Sequence, residues 1–324
     1  MTPRIPIPAR PILFCCIVLQ SASALAQTGG RIEHTVLTAT QSTYSLTSAL
    51  AAGTTIGVVN VPEDGRELAL LRDYIGRRIE RFEPLFESAT AVVSLTNALP
   101  GDPLYRFARD ANIRVVDIEA ATPFSLGSSG VALTDTPATT VAWGEPESTA
   151  APVAPYFWLS VSNAIRMSDL IAGDLIELFP DQADRIQGNL EDLKWSLLGL
   201  RNEYQNRLIE TGDDTVFALS GDFVYLTNDM GLYVDGYFIK QDIRWTSDDL
   251  AALTEHLSNR GVRVVLHRWV PTDEIQAAIA AAGAELVVLD TADPGIVEGD
   301  TLAVDGLQRI LRSNLEAIHA ALSR

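Results

Sequence analysis

Hydrophobic positions along the chain change spacing repeatedly, and these changes predict alternating strands and helices. After a polar start, an apolar run predicts a strand over 54–61, and apolar residues at spacings of three and four predict a helix over 67–82. Short apolar runs predict further strands over 91–95 and 115–118, with a helix over 104–111 between them. Strands that alternate with helices favour a parallel sheet, so this part of the chain is predicted to form one α/β lobe.

A segment rich in Ser, Gly, Thr and Pro over 124–155 predicts an irregular connection. Its Gly-Ser-Ser-Gly stretch at 127–130 lacks the spacing and the lysine of a P-loop, so no nucleotide site is predicted. Two helices follow, over 162–179 and 181–210. At 1.5 Å per residue, the roughly 30 residues of the second helix would span about 45 Å. We expect this helix to bridge two lobes stiffly, so that they rock by small angles rather than hinge open.

The strand and helix pattern resumes beyond residue 211 and predicts a second lobe. The predicted strands cover 215–220, 237–239, 262–267 and 286–289, and the predicted helices cover 222–230, 247–260, 272–283 and 304–323. Residues 262–289 form a βαβ unit with the usual right-handed crossover. Because α/β sheets bind ligands beyond the carboxyl ends of their strands, we expect Ser220, His267 and Asp290 on one rim.

The predicted fold is therefore α/β, with two lobes, each a mostly parallel sheet flanked by helices, joined by a long bridging helix. We divide the mature chain into an N-terminal lobe over 27–155, linking helices over 156–210 and a C-terminal lobe over 211–324. The cleft between the lobes is the expected binding site.

The first 26 residues have the pattern of a secretory signal peptide. Two arginines and no acid precede a short apolar run, and the small-residue end Ala24-Leu25-Ala26 predicts cleavage after Ala26. The run is shorter than the roughly 20 residues that span a membrane. A lipid anchor on Cys15 or Cys16 is the alternative, although a bulky phenylalanine precedes Cys15. The mature protein is predicted to be soluble in the periplasm.

Charge and cysteine content narrow the function classes. Removal of the two arginines of the signal takes the formal net charge from −18 to −20. A field of that sign repels nucleic acid, and solubility or adaptation to a salty habitat explains it better than the recruitment of cations does. Both cysteines lie in the predicted signal, so the mature chain has neither a disulfide nor a thiolate metal ligand. We expect a monomer with no nucleic-acid partner.

Standard catalytic motifs are absent from the mature sequence. It contains no HExxH, GxGxxG or CxxC motif, and His267 is the only one of the four histidines that ends a predicted strand. Ser220, Asp222 and His267 could form a hydrolase triad, but no Gly-x-Ser-x-Gly turn positions the serine. The pattern favours binding over turnover, so no enzyme is expected.

The segment Pro-Tyr-Phe-Trp-Leu-Ser at 155–160, with Asn-Ala at 163–164 and the two helices after it, resembles the periplasmic zinc/manganese-binding receptors of ABC importers. In that family the segment reads Asp-Pro-His-x-Trp-Leu, and the histidine binds the metal. The similarity continues through 217–232 and through 262–290, at matched positions that include Phe223, Tyr225, Gly231 and Leu232. The resemblance covers nearly the whole mature chain and implies a two-lobed solute-binding subunit that delivers its ligand to an inner-membrane ABC permease.

The resemblance also implies a metal site, and this sequence departs from it. Such receptors use three His or Glu side chains and one Asp, because the metal exchanges its water shell for several N and O donors. The loop over 62–66 has no histidine, Tyr156 stands at the second ligand position, and Ser220 stands at the third. Only Asp290 matches, with His267 nearby. The resemblance therefore implies at most weak binding of Zn²⁺ or Mn²⁺ at Asp290 and His267.

Three interpretations stay open. A divalent cation could bind a rearranged, oxygen-rich set of donors drawn from Asp290, His267, Glu63, Asp64 and Asp222. Tyr156, Trp158, Ser220 and His267 could instead line a pocket for a chelated metal or a small organic solute. The protein could also be an accessory that docks to a partner without a ligand.

For three residues that the resemblance covers, a structural role is the alternative to a role in ligand binding. Trp158 and Tyr225 are expected to be core aromatics near the linking helices rather than ligand contacts. Asp290 follows an apolar strand, so its carboxylate could cap the next turn instead of binding a ligand.

Overall fold

The structure is a computed structural model that describes residues 31–124, 129–144 and 153–324. The predicted signal peptide lies outside the described residues, and the predicted connection over 124–155 is described only in part. Among the described residues, no helix is both long enough and apolar enough to cross a membrane.

The N-terminal lobe is a four-stranded sheet with the order β2-β1-β3-β4, and every neighbouring pair is parallel. Its strands are β1 (His34–Thr38), β2 (Ile56–Asn60), β3 (Ala91–Ser94) and β4 (Val116–Glu119). Its helices are α1 (Gln41–Ala51), α2 (Leu68–Gly76), α3 (Ile79–Ser88) and α4 (Leu104–Ala111).

The lobe begins one strand and one helix earlier than the hydrophobic pattern predicts. Strand β1 is the second strand of the sheet, and α1 follows it within the polar start. Seven of the eleven residues of α1 are Ser, Thr, Gln or Tyr, and most of these polar side chains are buried against other elements. Because α1 buries hydroxyl groups as well as apolar ones, it lacks the apolar stripe on which the prediction depends. The helix predicted over 67–82 is two helices, α2 and α3.

Two linking helices, α5 (Val161–Leu178) and α6 (Ala183–Thr211), follow the connection. The 29 residues of α6 correspond to a length of about 44 Å. Near its start, Asn189 Nδ2 donates to the carbonyl of Leu50 over 2.8 Å in the N-terminal lobe. Near its end, the Tyr204 hydroxyl donates to Glu316 over 2.7 Å in the last helix of the chain. The predicted long helix between the lobes is confirmed.

The C-terminal lobe repeats the topology of the first, with a parallel sheet in the order β6-β5-β7-β8. Its strands are β5 (Thr215–Ala218), β6 (Tyr233–Tyr237), β7 (Val264–His267) and β8 (Glu285–Val288). Its helices are α7 (Val224–Met230), α8 (Ser247–Arg260), α9 (Asp273–Ala281) and α10 (Gly306–Leu322), and a hairpin of β9 (Val297–Glu298) and β10 (Thr301–Leu302) precedes α10.

The predicted strand over 237–239 starts four residues too late and overlaps β6 only at Tyr237, because β6 begins two residues after the glycine that ends α7. The remaining predicted elements of this lobe match the structure to within two residues at most ends. The predicted fold class, two parallel-sheet lobes flanked by helices and joined by a long helix, is confirmed.

One hydrophobic core connects the two lobes. It contains Val36 and Ile118 from the first sheet, Leu197 from α6, and Val264 and Leu266 from the second sheet. Smaller separate cores lie under α2, α3 and α4 in the first lobe and under α8 and α9 in the second. The linking helices therefore form part of the shared core.

Candidate functional site

The strand order of the second sheet reverses between β5 and β7, and the two strands end close to the predicted site residues. Ser220 lies two residues after β5, and His267 is the last residue of β7. Ligands of α/β sheets bind at such a reversal, beyond the carboxyl ends of the strands. The expected rim position of these two residues therefore follows from the observed topology.

Tyr156, Arg268, Asp222 and Ser220 form a connected polar network at this rim. Arg268 Nη1 donates to the Tyr156 hydroxyl over 2.8 Å and lies 3.8 Å from Asp222 Oδ2. The Ser220 hydroxyl donates to the same Asp222 oxygen over 2.7 Å. Tyr156 lies directly before the linking helices and the other three residues lie in the C-terminal lobe, so Arg268 joins the two parts of the chain.

Tyr156 is a protonated phenol held between aromatic and charged groups. It is 8% exposed, its ring centroid lies 5.6 Å from that of Trp158 in an edge-on arrangement, and the Arg268 guanidinium carbon lies 5.2 Å from the ring centroid. Burial raises the pKa of Tyr156 to about 12, although the charge of Arg268 opposes the shift. At neutral pH the hydroxyl keeps its proton and acts as a hydrogen-bond donor or acceptor, not as an anionic metal ligand.

His267 faces a different part of the lobe from Tyr156. Val265 belongs to the core under α8 and α9, while Val264 and Leu266 belong to the shared core. Side chains of a strand alternate between its two faces, so His267 lies on the face of Val265 and Arg268 lies on the face of Leu266. His267 Nε2 lies 3.6 Å from Asp242 Oδ1, and the centroid of its ring lies 4.5 Å from that of the Trp269 ring. Burial lowers the pKa of His267, so the imidazole is neutral at neutral pH.

Asp290 and Asp293 stabilise the loop after β8. Asp290 is exposed, and its Oδ1 accepts the backbone N–H of Ala292 over 2.7 Å, which is the turn-capping role considered for it above. Asp293 Oδ1 accepts the backbone N–H of Leu68 over 2.9 Å and so contacts the N-terminal lobe. Burial raises the pKa of Asp293 to about 6, and Arg268 opposes the shift.

The expected first ligand position, the loop over 62–66, packs on the C-terminal lobe. Asp64 forms an ion pair with Arg66 at 2.8 Å, and the carbonyl of Glu63 accepts the backbone N–H of Leu302 over 2.9 Å. In the part of the chain that the structure describes, no three side chains among His, Cys, Asp and Glu converge in a way that could hold a metal ion. The donor set of a zinc or manganese receptor therefore does not fit the described residues.

The arrangement of Ser220, Asp222 and His267 differs from that of a hydrolase triad. The Ser220 hydroxyl donates to the Asp222 carboxylate, whereas a catalytic serine donates to the imidazole of the base. No hydrogen bond between Ser220 and His267 is found within the described ranges.

Trp158 and Tyr225 are core residues, as expected. Trp158 is fully buried, and its Nε1 donates to the carbonyl of Thr291 over 2.8 Å. Tyr225 is 4% exposed, and its hydroxyl donates to the carbonyl of Ala154 over 3.1 Å. Both rings satisfy their polar atoms with backbone groups and pack in the shared core.

Arg268 and Asp293 are residues of the site that the sequence analysis did not select. Neither residue stands at a position where the resemblance implies a metal ligand. Arg268 could have been found from strand alternation, because it lies on the opposite face from His267 and next to Tyr156. No local pattern marks Asp293, whose hydrogen-bond partner Leu68 is 225 residues away.

Residues 22–321 match the protein family described as zinc-uptake complex component A, periplasmic. The chain belongs to this family. Membership confirms the resemblance stated from the sequence, and with it the role of a solute-binding subunit of an ABC importer. The family is a class of receptors and not a class of enzymes. A search of curated proteins finds no match.

Solved structures with the same fold include metal-bound proteins. An FpvC mutant from Pseudomonas aeruginosa is 20% identical, with a TM-score of 0.68 over 89% of this chain and 98% of that chain. The SBP FpvC of the same organism in complex with Mn²⁺ is 19% identical, with a TM-score of 0.63 over 89% and 98%. The Zn(II)-bound ZnuA-like domain of Streptococcus pneumoniae AdcA is 19% identical, with a TM-score of 0.64 over 91% and 100%. At these identities the similarity shows the fold.

Proposed function

We propose that this receptor captures a metal such as zinc or manganese as a chelate, rather than as a bare ion, and delivers it to an inner-membrane ABC permease. The family and the metal-bound structures of the same fold support a metal-related cargo. The network of Tyr156, Arg268, Asp222 and Ser220 is the observation that carries the proposal. It offers hydrogen-bond donors and acceptors, and a chelator supplies the remaining metal ligands itself.

The site has the mixed polarity that a chelator needs. Arg268 makes its hydrogen bond and its ion pair with described residues through Nη1, so Nε and Nη2 can donate to the oxygen atoms of a ligand. Asp222 and the Tyr156 hydroxyl can accept from ligand donors. Small-molecule sites depend on a few such polar groups to fix the orientation of the ligand.

The remaining properties of the proposal concern the whole chain. We place the mature protein, beginning at Gln27, in the periplasm as a monomer that has no nucleic-acid partner and no catalytic activity. The sequence pattern of the signal and the receptor family support the periplasm, and the formal net charge, which goes from −18 to −20 when the signal is removed, supports the absence of a nucleic-acid partner. We propose the same division of the mature chain as above, with lobes over 27–155 and 211–324 around the linking helices.

Titration of the metal-stripped mature protein tests the proposal. Zinc citrate and manganese citrate are expected to raise the thermal stability, whereas zinc and manganese chloride are expected to have little effect. A ligand at a hundred times its dissociation constant adds about 2.7 kcal/mol to the free energy of unfolding. Citrate alone serves as the control for an organic solute without metal.

A pair of tyrosine variants locates the binding site. Tyr156→Phe removes the hydroxyl that bonds Arg268 and is expected to weaken the effect of the chelate. Tyr233→Phe removes the hydroxyl of an exposed residue at the start of β6 and should leave the effect unchanged. A stabilisation by bare zinc equal to that by the chelate would contradict the proposal, and no response to any of these compounds would favour a docking protein without a ligand.

A further inference from the structure

We propose that Arg268 keeps bare divalent cations from binding beside Tyr156 and Asp222, because its guanidinium already occupies the position next to the oxygen atoms of these two residues. The inference rests on the proposed function and extends it by naming the residue that sets the cargo class.

The guanidinium is held in place by contacts on two sides. Its Nη1 lies 2.8 Å from the Tyr156 oxygen and 3.8 Å from Asp222 Oδ2. Its carbon lies 5.2 Å from the Tyr156 ring centroid, so the side chain lies against the ring instead of extending into solvent. The Arg268 side chain is 27% exposed. Arginine keeps its charge at every physiological pH, so this position is permanently cationic.

The same charge acts on the acidic groups that could bind a metal. Asp222 Oδ2 accepts the Ser220 hydroxyl and faces Arg268, so one carboxylate oxygen serves both groups. Burial raises the pKa of Asp293 to about 6, and the charge of Arg268 is one of the effects that oppose this shift. The single positive charge of Arg268 therefore acts on two carboxylates.

A divalent ion meets two obstacles at this site. It would lie close to a fixed positive charge, and the repulsion between charges a few ångströms apart is strong where the environment is partly buried. It would also compete with Arg268 for the same oxygen atoms, since zinc and manganese need several N or O donors to replace their water shell. A chelate avoids both obstacles because its metal is already coordinated and its outer oxygen atoms can accept from the guanidinium.

Calorimetric titration of the metal-stripped mature protein with manganese chloride tests the inference. Arg268→Met removes the charge and keeps an unbranched apolar side chain, and it is expected to bind Mn²⁺ at least tenfold more tightly than the parent protein. Arg268→Gln, which also removes the charge but keeps a hydrogen-bond donor for Tyr156, provides a second variant if the first does not fold. The fold of each variant is checked by far-UV circular dichroism.

Two further variants separate charge from shape. Arg268→Lys retains the positive charge and should bind Mn²⁺ as weakly as the parent protein. In the double variant Arg268→Met with Asp222→Asn, the gain should disappear, because the carboxylate that the arginine had neutralised is lost. Unchanged Mn²⁺ affinity in both Arg268→Met and Arg268→Gln would overturn this inference and leave the proposed chelate cargo standing. Tight Mn²⁺ binding by the parent protein would overturn both.

Discussion

At the scale of single residues, Gln41 shows how a buried amide can join two lobes. Its Nε2 donates to the carbonyl of Ala303 over 2.8 Å, and its Oε1 accepts the N–H of Ile296 over 2.9 Å. A Cβ atom on either Gly295 or Gly306 would overlap the Gln41 side chain, so the absence of side chains at these positions makes room for the amide. The N-terminus of α1 is thereby fixed against the chain that precedes α10.

We predict that Gln41→Ala lowers the free energy of unfolding by about 1 to 3 kcal/mol. The substitution removes the acceptor of the Ile296 N–H, and a buried unpaired group costs roughly 1 to 3 kcal/mol, whereas the Ala303 carbonyl still accepts the N–H of Gly306 over 3.1 Å. Urea unfolding at neutral pH measures the change.

The matched control is Gln187→Ala, which removes an exposed amide that donates to Glu191 over 3.1 Å on α6. Exposed substitutions of this kind change stability by less than about 0.5 kcal/mol. If Gln41→Ala had as small an effect as this control, the amide would not stabilise the contact between the lobes.

At the scale of elements, the glycines of α6 affect its stability differently according to their backbone conformation. Gly212 ends the helix in the left-handed conformation with φ of 69°, whereas Gly199 lies in the helix interior. A Cβ at either position would meet no atom within 4 Å, so backbone conformation alone distinguishes them. The two positions therefore hold the same residue type in two different backbone conformations.

Alanine at these two positions should have opposite effects. Gly199→Ala is expected to raise the free energy of unfolding by roughly 0.5 to 1 kcal/mol, because alanine loses less backbone entropy in a helix. Gly212→Ala is expected to lower it by about 1 kcal/mol, since L-residues with a Cβ disfavour the left-handed region. Thermal unfolding of the two variants measures both effects. A change of unfolding temperature in the same direction in both variants would contradict the explanation by backbone conformation.

At the scale of the whole molecule, the shared core ties the two lobes together. The core runs from the first sheet through α5 and α6 to the second sheet without interruption. Two backbone hydrogen-bonding contacts, of Glu63 with Leu302 and of Leu68 with Asp293, add to the contact between the lobes. These contacts agree with the expectation that the lobes rock by small angles, which stays a prediction.

We predict that the mature protein unfolds in one cooperative transition in spite of its two sheets. Loss of either lobe would expose the side of the linking helices that packs in the common core, so neither lobe should be stable alone. Tryptophan fluorescence and far-UV circular dichroism should give coincident urea transitions. Two separated transitions would show that the lobes are independent folding units.

Much of the fold follows from local patterns of the sequence. The helix period in α6 and the apolar runs at β5, β7 and β8 are strong local signals, because each element buries a regular face. The start of the N-terminal lobe was missed for the opposite reason, since α1 buries hydroxyl groups that bond to one another and to backbone, as Thr40 does with Ser42 and Thr43. A burial pattern of this kind is visible only when the packing partners are known.

The sequence by itself determined the alternation of strands and helices, the long helix and the motifs that identify the family, since these depend on residue type and short-range spacing. The tertiary structure alone decided which polar groups from distant parts of the chain meet. Tyr156 and Arg268 are 112 residues apart, and Leu68 and Asp293 are 225 apart. Their contacts depend on how the two sheets face each other across the linking helices, and no local spacing specifies that geometry.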